Sequence, residues 1–179
     1  MERRRALKYL FVMAAGTAIL PACLQQESKS SFLLKNMTVS LEEENTLAEL
    51  AETLLPASAT PGAKDTYAHL FALRMLDDCH EKEEQETFSK GLKALDRFAK
   101  EKHGSTFLKA TAAQRAGILT EIENKKAPED VQAFYKLVKN LTIQGYLTSK
   151  PVMGEIFHYE LVPGRYLGAT PVKTVTLQV

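Results

Sequence analysis

Between residues 40 and 147, apolar side chains recur every three or four positions, the spacing of amphipathic helices rather than the alternation of strands. Ser40-Leu41-Glu42-Glu43 has the capping-box form, a hydroxyl followed three residues later by a carboxylate. It opens a first helix with Leu47, Leu50, Ala51, Leu54 and Leu55 on one face. Pro56 stops that helix, and the loop 56–63 contains a Pro61-Gly62 turn. The spacing predicts a second helix from about Asp65, with Tyr67, Leu70, Phe71 and Met75 inward. A third begins near Glu81, where the acids of 81–86 suit the positive end of a helix dipole. Phe88, Leu92, Leu95, Phe98 and Ala99 form its inner face, and Gly104 is its natural stop. Thr111-Ala112-Ala113-Gln114 is a second capping box, ahead of Ile118, Leu119 and Ile122. Pro128 suits the first turn of a fifth helix, which carries Val131, Phe134, Tyr135, Val138, Leu141 and Leu147.

Past Pro151 the helical period fails. Gly154, Pro163, Gly164, Gly168 and Pro171 divide the chain into turns, and residues 172–179 alternate apolar and polar in strand fashion. One short strand needs a partner to be stable. The expected fold class is mainly α: a small bundle of about five helices with an irregular Gly/Pro-rich C-terminal segment.

The N-terminus has a different pattern. A cationic head, an apolar run from Tyr9 to Leu20 and the small residues before Cys23 have the form of a secretory signal. The apolar run is shorter than the roughly 20 residues that a membrane-spanning helix needs. Arg3, Arg4, Leu7 and Lys8 fit the twin-arginine export pattern, with Ala6 where Phe is usual. The alternative is a general secretory signal that happens to be Arg-rich. Leu20-Pro21-Ala22-Cys23 resembles a lipobox, which would make Cys23 a lipidated residue at a membrane surface. The expected organisation is a signal peptide over 1–22, a tether over 23–39, and a single helical domain with a C-terminal extension over 40–179.

Charge and composition narrow the partners. Of 23 Lys and Arg and 22 Asp and Glu, the signal peptide takes four basic residues and one acidic one, leaving 19 and 21, a net −2. That balance argues against nucleic acid, which demands a cationic face. An apolar fraction of 45% and a mean hydropathy of −0.20 are those of an ordinary globular chain. With Cys23 lipidated, Cys79 is left without an intrachain partner, so it is either buried, the commoner case, or paired with another chain.

Catalytic patterns are sparse. His69, His80, His103 and His158 have no metal-ligand spacing, and Asp77-Asp78-Cys79-His80 reads as the polar end of a helix. No haem-attachment motif, phosphate-binding loop, dinucleotide fingerprint or nucleophile elbow is present. Catalytic, cofactor-binding and metal-binding residues are therefore expected to be absent from this chain. The aromatics Tyr146, Phe157, Tyr159 and Tyr166 lie among glycines and prolines, where they either form a contact surface or fold back over the bundle.

Four segments carry a family resemblance. Leu54-Leu55-Pro56-Ala57 with Pro61-Gly62-Ala63 comes first, then Gly91-Leu92 with Leu95-Asp96. The stretch from Lys139 through Asn140, Gly145 and Tyr146 to Ser149 follows, and Tyr159-Glu160-Leu161-Val162-Pro163-Gly164-Arg165-Tyr166 closes the series. Together they resemble the small subunit (subunit 3) of gluconate 2-dehydrogenase over about residues 40–171. The resemblance implies a non-catalytic accessory subunit, and the leader with its lipobox would place it on the periplasmic side of a bacterial cell envelope, lipid-anchored through Cys23. It would supply the export signal, assembly support and membrane tether to a large flavin-dependent sugar or alcohol dehydrogenase subunit. The flavin would sit in that partner, and a cytochrome c subunit often joins it. Contact with the partner is expected at Pro56, Pro61, Gly62, Gly145, Tyr146, Tyr159, Pro163, Gly164 and Tyr166, with Cys79 as an inter-chain thiol. The other reading is a free-standing envelope lipoprotein that binds a small ligand or another envelope protein.

Overall fold

The structure is a computed structural model that describes residues 30–162 and 164. The signal peptide expected over 1–22, Cys23, Pro163, Tyr166 and the alternating residues 172–179 lie outside the described residues. Among the described residues five α-helices follow one another: α1 Leu41–Leu54, α2 Ala68–Cys79, α3 Lys82–His103, α4 Ala112–Glu123 and α5 Glu129–Leu147. A five-residue π-helical turn, Val152–Ile156, continues from α5. The protein is mainly helical, as the periodicity predicts.

Both capping boxes form. Ser40 Oγ accepts from the Glu43 N–H at 3.2 Å while Glu43 Oε2 accepts from the Ser40 N–H at 2.9 Å. Thr111 and Gln114 make the equivalent pair at 3.3 and 2.9 Å. Gly104 ends α3 with φ 71°, a left-handed conformation in which its missing Cβ removes the strain. Pro128 stands one position earlier than expected, as the N-cap of α5.

Helix α5 packs most extensively on α3 and α2 and also touches α1 and α4. Leu47, Leu50, Leu73, Leu76, Phe88, Leu95, Phe107, Ile118, Val131, Phe134 and Val138 are fully buried. The α3–α5 crossing is close because Gly91 faces Phe134. A Cβ at Gly91 would lie 2.1 Å from Phe134 Cβ.

Helix α2 differs from expectation. It starts at Ala68, after Tyr67 adopts φ 54°, and Tyr67 is 65% exposed rather than inward. The buried stripe is Ala68, His69, Ala72, Leu73, Leu76 and Asp77, leaving Leu70, Phe71 and Met75 half-buried. Small side chains decide the orientation: Ala68 of α2 clusters with Ala51 of α1 and Ala63 of the loop, which brings the backbones close. Cys79, expected in the main to be buried, is exposed and free at the end of α2. Leu147 is likewise 43% exposed, because the last turn of α5 runs past the core.

Residues 30–39 are docked, in contrast to the tether expected over 23–39. Phe32, Leu34 and Met37 pack on the core and Val39 is buried. The buried Asp77 carboxylate accepts the backbone N–H groups of Lys35, Asn36 and Met37 at 2.7, 2.7 and 2.9 Å. Asn36 Nδ2 also donates to the Asp77 carbonyl at 2.7 Å, and the Ser31 N–H donates to Glu44 Oε2 at 2.7 Å. Alternating apolar residues give this strap one face that prefers the core, and the two acids satisfy its backbone.

Candidate functional site

The loop after α1 is built around two carboxylates of that helix. Glu52 accepts the N–H groups of Ala57 and Lys64, each at 3.0 Å. Its oxygens fill the space where a side chain at residue 62 would begin, since a Cβ there would sit 2.6 Å from both. Gly62 is thus needed for a close approach. Glu49 takes Lys64 Nζ at 2.6 Å and also pairs with Arg115 of α4. Burial pushes the Glu49 carboxyl up, but the two cations outweigh it and hold the group below its ordinary range. The Ala63 N–H donates to the Leu55 carbonyl at 2.9 Å and closes the loop.

The C-terminal end of α5 meets this loop. Tyr146 donates its hydroxyl to the Pro61 carbonyl at 3.0 Å, across 85 residues of sequence. Gly145 is buried against Phe71 of α2, where a Cβ would lie 2.8 Å from Phe71 Cδ1. Two segments singled out in the sequence, 56–63 and the region beginning at Gly145, are therefore adjacent. Tyr146 itself folds back as a staple between them and is only partly accessible. Tyr146→Phe should cost about 1 kcal/mol, the worth of one hydrogen bond. Tyr146→Ala should cost about 3 kcal/mol by also leaving a cavity. Urea titration of both variants checks the difference, and equal losses would remove the hydroxyl's role.

Tyr159 behaves differently. It is 55% exposed, as is Phe157, and Leu161 and Val162 are each 81% exposed. Of nine exposed large apolar side chains among the described residues, seven lie on the last two turns of α5 and the segment after it: Ile143, Leu147, Ile156, Phe157, Tyr159, Leu161 and Val162. The Tyr159 N–H bonds to the Met153 carbonyl at 2.8 Å, which folds this segment back on the π-helical turn. Pro56 and Gly164 are exposed. Reading aromatics alone misses Leu161 and Val162. Their sequence signal is an apolar pair in a stretch of turn residues, where no helix face exists to bury it.

The titratable groups are dispersed. His69 is buried on α2, and burial lowers its pKa against the opposing charge of Glu44. His80 pairs with Glu84 at 2.8 Å, while His103 and His158 are exposed on separate elements. Among the described residues no group of three or more His, Cys, Asp or Glu side chains is placed to hold a metal ion. Two cavities, of about 340 and 310 Å³, are grooves along the strap. The first is lined by residues of the strap and of α3, among them Lys82, Glu86 and Lys90.

A protein-family model described as gluconate 2-dehydrogenase subunit 3 matches residues 41–164. No curated protein and no solved structure matches the chain.

Proposed function

Because the chain belongs to the gluconate 2-dehydrogenase subunit 3 family, we propose that it is the non-catalytic small subunit of an exported dehydrogenase complex, holding its catalytic subunit through the C-terminal apolar surface. The observation that carries this reading is the gathering of exposed apolar side chains at one end of the molecule, from Ile143 to Val162. Large apolar groups clustered in this way mark association surfaces. The loop 56–63, stapled beneath by Tyr146, gives the surface a rigid edge.

The catalytic partner in this reading is a large flavin-dependent subunit that acts on a sugar or alcohol, with a cytochrome c subunit as electron acceptor. This chain supplies no reacting group. Its leader, with Arg3, Arg4, Leu7 and Lys8, directs export, and a lipid on Cys23 tethers the assembly to the periplasmic side of the envelope. A ligand-binding lipoprotein, the other reading, calls for an enclosed pocket. The described cavities are instead open grooves between exposed side chains, which favours the subunit.

The test is affinity capture of the tagged full chain from native membranes in mild detergent, followed by a flavin absorbance scan and mass spectrometry. A large flavoprotein chain at equal stoichiometry is the expected result. Phe157→Asp combined with Leu161→Asp should reduce capture at least tenfold, because a central interface side chain is worth about 2 kcal/mol or more. Thermal melting of the variant should match the wild type, since both side chains are exposed. Recovery of the wild type alone and colourless would overturn the reading, and unchanged capture by the double variant would overturn the surface.

A further inference from the structure

The strap and the Tyr146 end of α5, where the apolar surface begins, lie at opposite ends of the bundle. On α1 the strap bonds to Glu44 in the first turn, whereas the loop that Tyr146 holds leaves from Leu55 just past the last turn. On α2 the order reverses, with Asp77 in the last turn under the strap and Phe71 in the first turns against Gly145. Helix α1 has 14 residues, so at ~1.5 Å per residue these two ends are about 20 Å apart.

The strap's seat is also prepared from several elements. Gln85 of α3 donates to the carbonyls of Leu76 and His80 at 3.0 and 3.1 Å and fixes the end of α2 on which Asp77 stands. Arg74 stacks over the Phe32 ring at 4.9 Å and reaches Asp78 at 3.8 Å, and Lys35 approaches the same Asp78 at 3.8 Å. Three successive backbone N–H groups converging on one carboxylate that is 2% exposed give a single register. A passive tether shows no such convergence.

We propose that residues 30–39 are a latch, clasped by Asp77, which fixes the N-terminal leader to the end of the bundle opposite the partner surface. The point at which the N-terminal residues join the bundle and the surface for a bound partner are then on separate faces, so the chain can be drawn to a membrane or an export machine while it carries its partner. The second half of this inference rests on the partner-surface reading above. The first half does not.

Hydrogen exchange on the full chain in mild detergent, read for wild type and Asp77→Asn, separates the two. In the wild type the amides of residues 35–37 should be protected. In Asp77→Asn they should exchange at least tenfold faster, while α3 and α5 keep their protection and partner capture is unchanged. Asn36→Ala, which removes only the 2.7 Å bond to the Asp77 carbonyl, should give a smaller rise at the same amides and serves if Asp77→Asn does not fold. Wild-type strap amides that exchange as an unstructured chain would overturn the latch, as would protection unchanged in Asp77→Asn. Capture lost in a folded Asp77→Asn would put the strap in the partner interface and overturn the separation of faces. A wild type that captures nothing would remove the partner reading, while the exchange data would still decide the latch.

Discussion

Replacing Gly91 with alanine should lower the unfolding free energy by about 3 kcal/mol, the upper part of the usual range for overpacking. Two effects oppose each other at this position. Alanine is favoured over glycine inside a helix by about 1 kcal/mol. Against that, the new methyl would lie 2.1 Å from Phe134 Cβ, 2.8 Å from Phe134 Cγ and 2.9 Å from the Asp130 carbonyl oxygen. Two of those atoms cannot swing away, because a Cβ and a carbonyl oxygen are fixed to the backbone. Helix α5 must therefore shift as a whole, which disturbs the Phe88–Phe134 contact at 5.6 Å and the core on both sides. The steric cost prevails. A fall in melting temperature of ~10 °C follows for a domain of this size. Combining Gly91→Ala with Phe134→Ala should cost less than the sum of the two single losses, since the second change removes part of the obstruction. Strict additivity would place the whole clash on the Phe134 Cβ and the Asp130 carbonyl, and an unchanged denaturation midpoint for Gly91→Ala would show that the close approach carries no cost.

Asp77→Ala is the second large effect, again about 3 kcal/mol at neutral pH. Each buried N–H that loses its acceptor costs ~1–3 kcal/mol, so three of them could reach well above that figure. The strap, however, can leave the surface and hydrate its amides, so the total is capped by what docking contributes. The pH dependence identifies the cause. Burial pushes the Asp77 carboxyl up, but the three N–H donors and the charge of Arg74 outweigh it and hold the group below its usual value. A carboxylate with a depressed folded pKa contributes stability that is complete above its unfolded pKa of ~3.9 and disappears as the pH falls through the folded value. The gap between wild type and Asp77→Ala should therefore be constant from neutral pH down to about pH 4 and narrow below it. A gap that persists unchanged at pH 2 would assign the loss to packing alone.

The elements that the sequence discloses are those whose signals are local. Capping hydroxyls at Ser40 and Thr111, a glycine stop at Gly104 and the apolar stripe of α3 act within one or two helical turns, so the chain carries them openly. The face of α2 is not local. Two neighbouring stripes have enough apolar residues to be buried, and Ala51 and Ala63 select the one with Ala68 and Ala72. Those partners are remote in sequence, and the resulting turn at Tyr67 exposes an aromatic that periodicity places inside.

The surface proposed for a partner was legible in the same partial way. Its two segments stand out as irregular backbone, the first with Pro and Gly and the second with aromatics as well, yet only the structure shows that Tyr146 is spent on joining them. Asp77 was hidden because its cluster reads as a polar helix end. One clue was present: Asp77 continues the stripe of Leu73 and Leu76, and an acid at a core position requires donors from somewhere. Cys79, two residues on, faces outward for the same geometric reason that Asp77 faces inward.

The docked strap moves the practical edge of the domain. Family likeness begins at residue 41, and the capping box makes Ser40 an inviting place to cut. A fragment trimmed there would lose Phe32, Leu34 and Met37 from its core and leave Asp77 with no backbone to hold. Ser30, whose N–H meets the Val39 carbonyl at 3.2 Å, belongs with the strap, so any cut must come ahead of it. A fragment that begins ahead of Ser30 would keep every contact described for the bundle in place.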